Sequence, residues 1–274
     1  MKEFSTDNIF KPEKYWQERV SGRLDIGVVG HRSFGRAYNS YIYQRRIDLI
    51  SDFLCQINVD LTKLKVLDIG CGSGFYVDFW KSKGIKEYVG LDISKDSVNQ
   101  LKARYPNYRF IHANITLAET LSKITETYDI ITVFDVMYHI IDDTRASMAF
   151  KMMEKWLSEK GNILIFDQLL ERDFLLTSHV KFRGRQSYQK LLQDAGLRIN
   201  HHKQMFLLLV PPVFGIKYLD IMISGGYKCL GFFTKSLEWF GNILGYSFYH
   251  LDNLILRVGV HIPNHELLII KKIG

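Results

Sequence analysis

Val66-Leu67-Asp68-Ile69-Gly70-Cys71-Gly72-Ser73-Gly74-Phe75 is the stretch on which the fold turns. A short apolar run passes into three glycines spaced by two, and a helical pattern opens at Phe75. Glycines at that spacing let the backbone turn sharply and let a ligand approach the main chain with no Cβ in the way. Asp68 stands at the carboxyl end of the strand, the side on which open α/β sheets bind their ligands. A dinucleotide fingerprint would need a third glycine three positions after its second. Counted from Gly72 that position is Phe75, and counted from Gly74 it is Val77, so neither frame fits. A phosphate-binding Gly-Lys-Ser/Thr is also missing from this loop.

Outward from the loop, apolar runs predict strands over 65–69, 88–93, 108–112, 129–134 and 162–167. Between them, helical spacing predicts helices over 75–82, 95–105, 116–125 and 142–158. Short apolar strands alternating with longer helices indicate right-handed crossovers and a parallel sheet. Upstream, 12–20 and 36–57 read as helices, joined through a glycine-bearing loop at 27–35. Downstream come a polar stretch, a helix over 186–195, a strand from Leu197 toward Val210, and a last strand over 266–272. The aromatic-rich segment 211–260 separates those two strands and reads as a helical insertion. Three regions result: an N-terminal helical cap (1–60), a nucleotide-binding α/β domain (61–210 with 261–274), and the insertion.

Asp92 follows the apolar run 88–91 and so ends the neighbouring strand, facing the same crevice as Asp68. A carboxylate there can accept hydrogen bonds from both hydroxyls of a ribose. In this order and context, Asp68-x-Gly70-x-Gly72-x-Gly74 resembles the first motif of class I S-adenosylmethionine-dependent methyltransferases, and Asp92 resembles their ribose-binding acid. The tract 129–140 is similar to the ubiquinone-biosynthesis-like, small-molecule branch of that family. The resemblance covers roughly 60–170 and implies a doubly wound, mostly parallel, seven-stranded Rossmann-like sheet. It also implies S-adenosyl-L-methionine as cofactor, held by Asp68, Gly70, Cys71, Gly72, Gly74, Asp92, Ile93, Asn114, Ile115 and Phe134. Many relatives carry Asp where Asn114 stands, but the amide can still offer an oxygen to the adenine amino group.

The cofactor brings the activated methyl group, so the protein must position an acceptor, exclude water and, for a hydroxyl, remove a proton. His139 follows the fourth strand and is the leading candidate base, since an imidazole titrates near neutrality; the alternative is a residue that packs the strand-to-helix junction. His31 would fold over the site from the glycine-bearing loop, and Asp167, ending the fifth strand, would orient the acceptor. Tyr15-Trp16 and Tyr38-Asn39 would either cover the cofactor or belong to the core. The run from His179 to Arg183 would hold an acidic substrate or form a solvated edge. The neighbours His201 and His202 alternate along a strand, which argues against a shared metal, and no metal site is expected.

With 274 residues, 47% of them hydrophobic and a formal net charge of +7, the chain is an ordinary globular protein with a mildly basic surface. Its three scattered cysteines and the absence of an apolar leader point to a reducing, cytoplasmic setting. No apolar run is long enough to span a membrane. The fourth strand ends Phe134-Asp135-Val136-Met137, unlike the proline-bearing sequences that gather base amino groups, so nucleic acid is disfavoured as the acceptor. A small-molecule acceptor methylated on oxygen is the reading adopted, with carbon or nitrogen methylation of a lipid or quinone, or a non-catalytic scaffold, as alternatives. The insertion then walls the acceptor pocket, joins two copies in a homodimer, or leans on a membrane.

Overall fold

The computed structural model describes residues 12–20, 31 and 33–274. Helix α1 (Pro12–Val20) and the long α2 (Arg36–Ile57) precede the sheet domain. Then follow β1 (Lys65–Ile69), α3 (Phe75–Ser82), β2 (Glu87–Asp92), α4 (Lys95–Arg104), β3 (Arg109–His112) and β4 (Tyr128–Phe134). Next come α5 (Asp143–Trp156), β5 (Leu157–Asp167), a hairpin of β6 (Phe174–Thr177) with β7 (Val180–Phe182), and α6 (Arg185–Gln193). The chain closes with β8 (Leu197–Gln204), α7 (Lys217–Ser236), α8 (Glu238–Arg257) and β9 (Glu266–Lys272). Most of 27–35 lies outside the described residues.

Seven strands form one sheet in the order β3-β2-β1-β4-β5-β9-β8. Pairing is parallel from β3 through β5, whereas β9 runs antiparallel to both β5 and β8. This is the doubly wound fold expected from the strand–helix alternation. Each strand sends alternate residues to opposite faces. Val66, Ile130 and Leu164 join the apolar core shared with α2, α3 and α4. Their neighbours Leu67, Ile131 and Ile163 join the core under α5 and α6. Burial of the central strands on both faces explains why they read as continuous apolar runs.

Besides the fifth strand, which begins at Leu157 where the helical reading had run to 158, three segments differ from their sequence reading. The helix expected over 116–125 is one 3-10 stretch, Ala118–Lys123. Asn114 Oδ1 accepts from both the amide and the hydroxyl of Thr116, and this local turn uses up the residues a helical first turn would need. The strand from Leu197 stops at Gln204, short of Val210. The carboxylate of Asp252 draws the amides of Leu207, Leu208 and Leu209 toward α8 at 2.7 to 3.2 Å, so they do not pair in the sheet. The polar stretch after Asp167 contains the β6–β7 hairpin, a pairing too short for an alternation to reveal.

The segment between β8 and β9 is a helical pair fastened to α2. A Cβ on Gly245 of α8 would lie 2.5 Å from the Tyr41 ring, and one on Gly231 of α7 would lie 2.0 Å from the Ser33 carbonyl oxygen. Tyr41 donates to Asn242 at 2.8 Å, and Arg45 donates to Asn253 and to the Met205 carbonyl. Asp252→Ala would leave three amides, those of Leu207 and Leu209 buried, without an acceptor, at about 1–3 kcal/mol for each buried one. Denaturant unfolding should show stability reduced by about 3 kcal/mol or more. An unchanged midpoint would mean that the 205–210 segment is held by something other than this carboxylate.

Candidate active site

A cavity of about 550 Å³ opens at the carboxyl ends of β1, β2 and β4, within the size range of small-ligand sites. Its floor is the glycine loop. Gly72, at φ +51, lines it, and a Cβ there would meet protein only at the Gly70 carbonyl oxygen, 3.7 Å away. The Gly72 amide donates to Asp92 Oδ2 at 2.8 Å, and the Ser94 amide donates to Oδ1 at 2.7 Å. Burial pushes the Asp92 carboxyl upward, an effect that these two backbone donors oppose. Each oxygen retains acceptor capacity beyond its backbone partner.

Eight of the expected contact residues line this cavity: Gly70, Cys71, Gly72, Asp92, Ile93, Asn114, Ile115 and Phe134. Two do not. Asp68 is buried in the sheet, where it accepts from the Tyr88 and Thr132 hydroxyls, both at 2.7 Å. It thereby ties β1 to β2 and β4, and burial raises its carboxyl to about 6. Gly74 faces the α3–α4 packing, where a Cβ would come 2.5 Å from Leu101. Asn114 reaches the cavity with its oxygen occupied by Thr116 and its amide nitrogen donating to Glu13 at 2.5 Å. The expected adenine-accepting oxygen is therefore already in use.

The candidate catalytic residues separate. His139 lines the cavity at the end of the 3-10 turn Met137–His139. Its Nδ1 lies 2.9 Å from the His179 carbonyl, which can only accept. Nδ1 therefore carries a hydrogen, and in the neutral tautomer the basic nitrogen is Nε2. Arg183 stiffens the same turn by donating to the Met137 and Ile140 carbonyls at 3.3 and 2.6 Å. Lys181 pairs with Asp143 and Asp173, so the basic run 179–183 is spent inside the protein and does not form an acidic-substrate site. Asp167 is 2% exposed and accepts from the Gln168 amide, away from the cavity lining. His31 is likewise outside the lining. Its amide donates to Asn39, and burial pulls its imidazole down to about 4.

Other wall residues carry weaker sequence signals. Arg46 of α2 donates to both oxygens of Asp135 at 2.5 and 3.2 Å, and both residues line the cavity. Asp135 has φ +59, an unusual backbone for a residue other than glycine. Burial alone would raise its carboxyl, but the Arg46 guanidinium outweighs that and holds it below the usual range. Beside the pair, the buried Tyr76 hydroxyl lies against the Arg46 guanidinium. Trp16, Tyr43, Phe75 and Tyr76 supply the aromatic wall. Trp16 lines the cavity and meets His139 edge-on at 5.0 Å, whereas Tyr38 is core. No residue of 211–260 lines the cavity, so the insertion is not the wall it was expected to be. The lone signal for Arg46 was two adjacent arginines in an apolar helix, of which Arg45 turns to the insertion and Arg46 to the cavity.

Residues 66–161 match the methyltransferase domain family. The glycine loop and Asp92 lie inside that segment, on a sheet of the corresponding order. Residues 66–161 are a class I S-adenosylmethionine-dependent methyltransferase domain. The chain is 32% identical over 115 residues to the mRNA cap guanine-N(7) methyltransferase of Cryptococcus neoformans var. neoformans serotype D (37% of this chain, 18% of the relative). It is 26% identical over 116 residues to the ubiquinone/menaquinone biosynthesis C-methyltransferase of Campylobacter jejuni subsp. jejuni (40% and 46%). The chain thus spans less than half the length of these relatives. In fold it is similar to the magnesium protoporphyrin IX methyltransferase of Synechocystis PCC 6803, with a TM-score of 0.55 and 16% identity over 75% of this chain and 95% of that one.

The cofactor of this methyltransferase domain is S-adenosylmethionine, and the cavity fits it. The open face of Gly72 accommodates a ligand against the backbone, and Asp92 offers paired oxygens to a diol. Ile93, Ala113 and Ile115 provide an apolar slot for a planar base. Isothermal titration with the demethylated product should show binding that Asp92→Ala weakens by about 1.5–3 kcal/mol, the value of charge-assisted hydrogen bonds. Asp167 offers an independent check on burial. Its carboxyl is raised from 3.8 to about 7, so folding favours the protonated form. That contribution is complete below the unfolded value and is lost as pH rises through about 7. Across this window the thermal midpoint of the wild type should fall relative to that of Asp167→Asn.

Proposed function

We propose that this protein transfers the methyl group of S-adenosylmethionine to an oxygen of a small, partly apolar acceptor. The observation that carries the reading is His139 Nδ1 seated 2.9 Å from the His179 carbonyl, in the wall of the cavity that Gly72 and Asp92 also line. When bound, the cofactor supplies an electrophilic methyl group, which leaves the protein the tasks of placement and proton removal. Gly72 and Asp92 hold the nucleoside end, with Ile93 and Ile115 against the base. Trp16, Tyr43 and Tyr76 exclude water and present apolar surface to the acceptor. His139 Nε2 accepts the hydroxyl proton, while the His179 carbonyl keeps Nδ1–H in place and stabilises the imidazolium that results.

Arg46 and Asp135 give this wall a fixed, fully charged dipole. His31 and Asp167 have no part in this scheme, because neither reaches the cavity. The notable feature of the acceptor side is that its aromatics come from α1, α2 and α3.

The test is a panel of phenolic, carboxylate and amine acceptors with methyl-labelled cofactor, followed by calorimetry of the cofactor alone. For a hydroxyl acceptor, His139→Ala should lower kcat by about 10²–10⁴, the usual contribution of a general base, with cofactor affinity unchanged. The loss should be smallest at high pH, where the acceptor ionises unaided. Full activity of His139→Ala at neutral pH would remove the base and the oxygen-acceptor assignment with it.

A further inference from the structure

The outer surface of α7 is apolar where a globular protein should be polar. Residues recurring at three- and four-residue intervals face away from the protein: Tyr218, Ile221, Met222, Cys229, Phe232 and Phe233. Tyr218 is 83% exposed and Met222 73%. The opposite face of the helix, with Asp220, Gly231 and Thr234, is the one that packs inward. On α8 the exposed series is Trp239, Ile243, Tyr246 and Leu254, with Trp239 at 63%. Ring contacts from Phe233 to Phe240, and from Phe240 to Trp239, join the two stripes at the α7–α8 corner. Neither helix is long and apolar enough to cross a membrane.

Charge chooses the occupant. Lys217, Lys228 and Lys235 are exposed and fall on a common flank of the α7 stripe by helical spacing, and Arg257 is exposed at the end of α8. Of the acidic residues in 211–260, Asp220 and Asp252 are buried, turned inward onto the backbone amides of Phe214 and of Leu207, Leu208 and Leu209. Glu238 is the exposed acid. A two-fold contact with a second copy would set this cationic flank against its own equivalent, at a cost in repulsion. An anionic bilayer surface takes the cations and the apolar side chains together, and Tyr and Trp rings suit the headgroup level.

We propose that the α7–α8 hairpin is a peripheral membrane-binding surface for anionic lipid, lying in the plane of the interface with its apolar stripe among the headgroups. The surface continues to the mouth of the cavity. Leu175 and Leu176 of β6 are exposed, and they line one depression of about 350 Å³ together with Lys217 and Ile221 of α7. The turn after β6 contributes Ser178 to the wall of the active-site cavity. Seated on a bilayer, the protein would hold that mouth close to the headgroups, which suits an amphiphilic acceptor. The binding surface itself stands whether or not the methyl-transfer reading does.

Co-sedimentation of the full chain with phosphatidylcholine vesicles, with and without phosphatidylglycerol, tests this directly. Partition should appear on the anionic vesicles and weaken as salt is raised. At about fivefold for each lysine near an anionic surface, Lys217→Glu, Lys228→Glu and Lys235→Glu combined should reduce it on the order of a hundredfold. Trp239→Ser with Phe232→Ser should also reduce it, at unchanged circular dichroism, because these side chains make few internal contacts. In a Cys55→Ser background, a polarity-sensitive dye on Cys229 should shift to the blue on anionic vesicles. No partition on either vesicle, or partition indifferent to all these substitutions, overturns the proposal. So does a concentration-dependent dimer in sedimentation velocity that Trp239→Ser dissolves, which would assign the stripe to a second copy of the chain.

Discussion

The ion pair between Arg46 and Asp135 is the contact on which the arrangement of this molecule hangs. Asp135 sits where β4 leaves the sheet, in a left-handed backbone conformation that costs a residue other than glycine about 1–3 kcal/mol. The guanidinium that meets it is 8% exposed and comes from the middle of α2. Removing one member of the pair would leave the other's charge in the cavity wall without its counter-charge. The pair therefore does more than hold two side chains. It locks the N-terminal helix over the crevice and keeps the exit of β4 in the geometry that leads into the turn of His139.

Because α2 is fixed in this way, its other flank is fixed too. Arg45, Tyr41 and Asp48 point to the insertion, where they meet Asn253, Asn242 and Tyr249. The glycines at the α2 contact remove the side chains that would keep the helices apart. One helix thus contributes Tyr43 and Arg46 to the cavity wall from one side and the seat of the α7–α8 hairpin from the other. That division explains why the aromatic-rich segment stands clear of the acceptor side: its inward face is used up on α2, and its remaining apolar residues face outward.

Burial separates the carboxylates by task. Asp92 keeps contact with the cavity and accepts from two backbone amides, so it remains a cavity-facing acceptor. Asp68 and Asp167 stand at equivalent strand ends but are enclosed by the sheet, and both have carboxyls raised toward neutrality. The imidazoles of His31 and His265 are pulled to about 4 by burial, so they add little positive charge near Arg46 at neutral pH. In a region crowded with ionisable groups, the Arg46–Asp135 pair keeps its full charge because each partner stabilises the other.

The linear sequence determined the sheet, the glycine loop and the cofactor side, because strand periodicity, glycine spacing and the acid after β2 are local features. Gly70, Gly72 and Asp92 reach the cavity through the backbone geometry of a single βαβ unit, which adjacent residues specify. The cavity wall around Arg46 and His139 was set by tertiary structure alone. Arg46 meets Asp135 across 89 residues of chain, and His139 acquires its tautomer from the carbonyl of His179, 40 residues on. Nothing local distinguishes Asp167, which the sheet encloses, from Asp92, which it leaves facing the cavity. The insertion follows the same rule. Its helical spacing was visible in the chain, but which stripe is buried depended on glycine contacts with α2, and those exist only once the helices are packed.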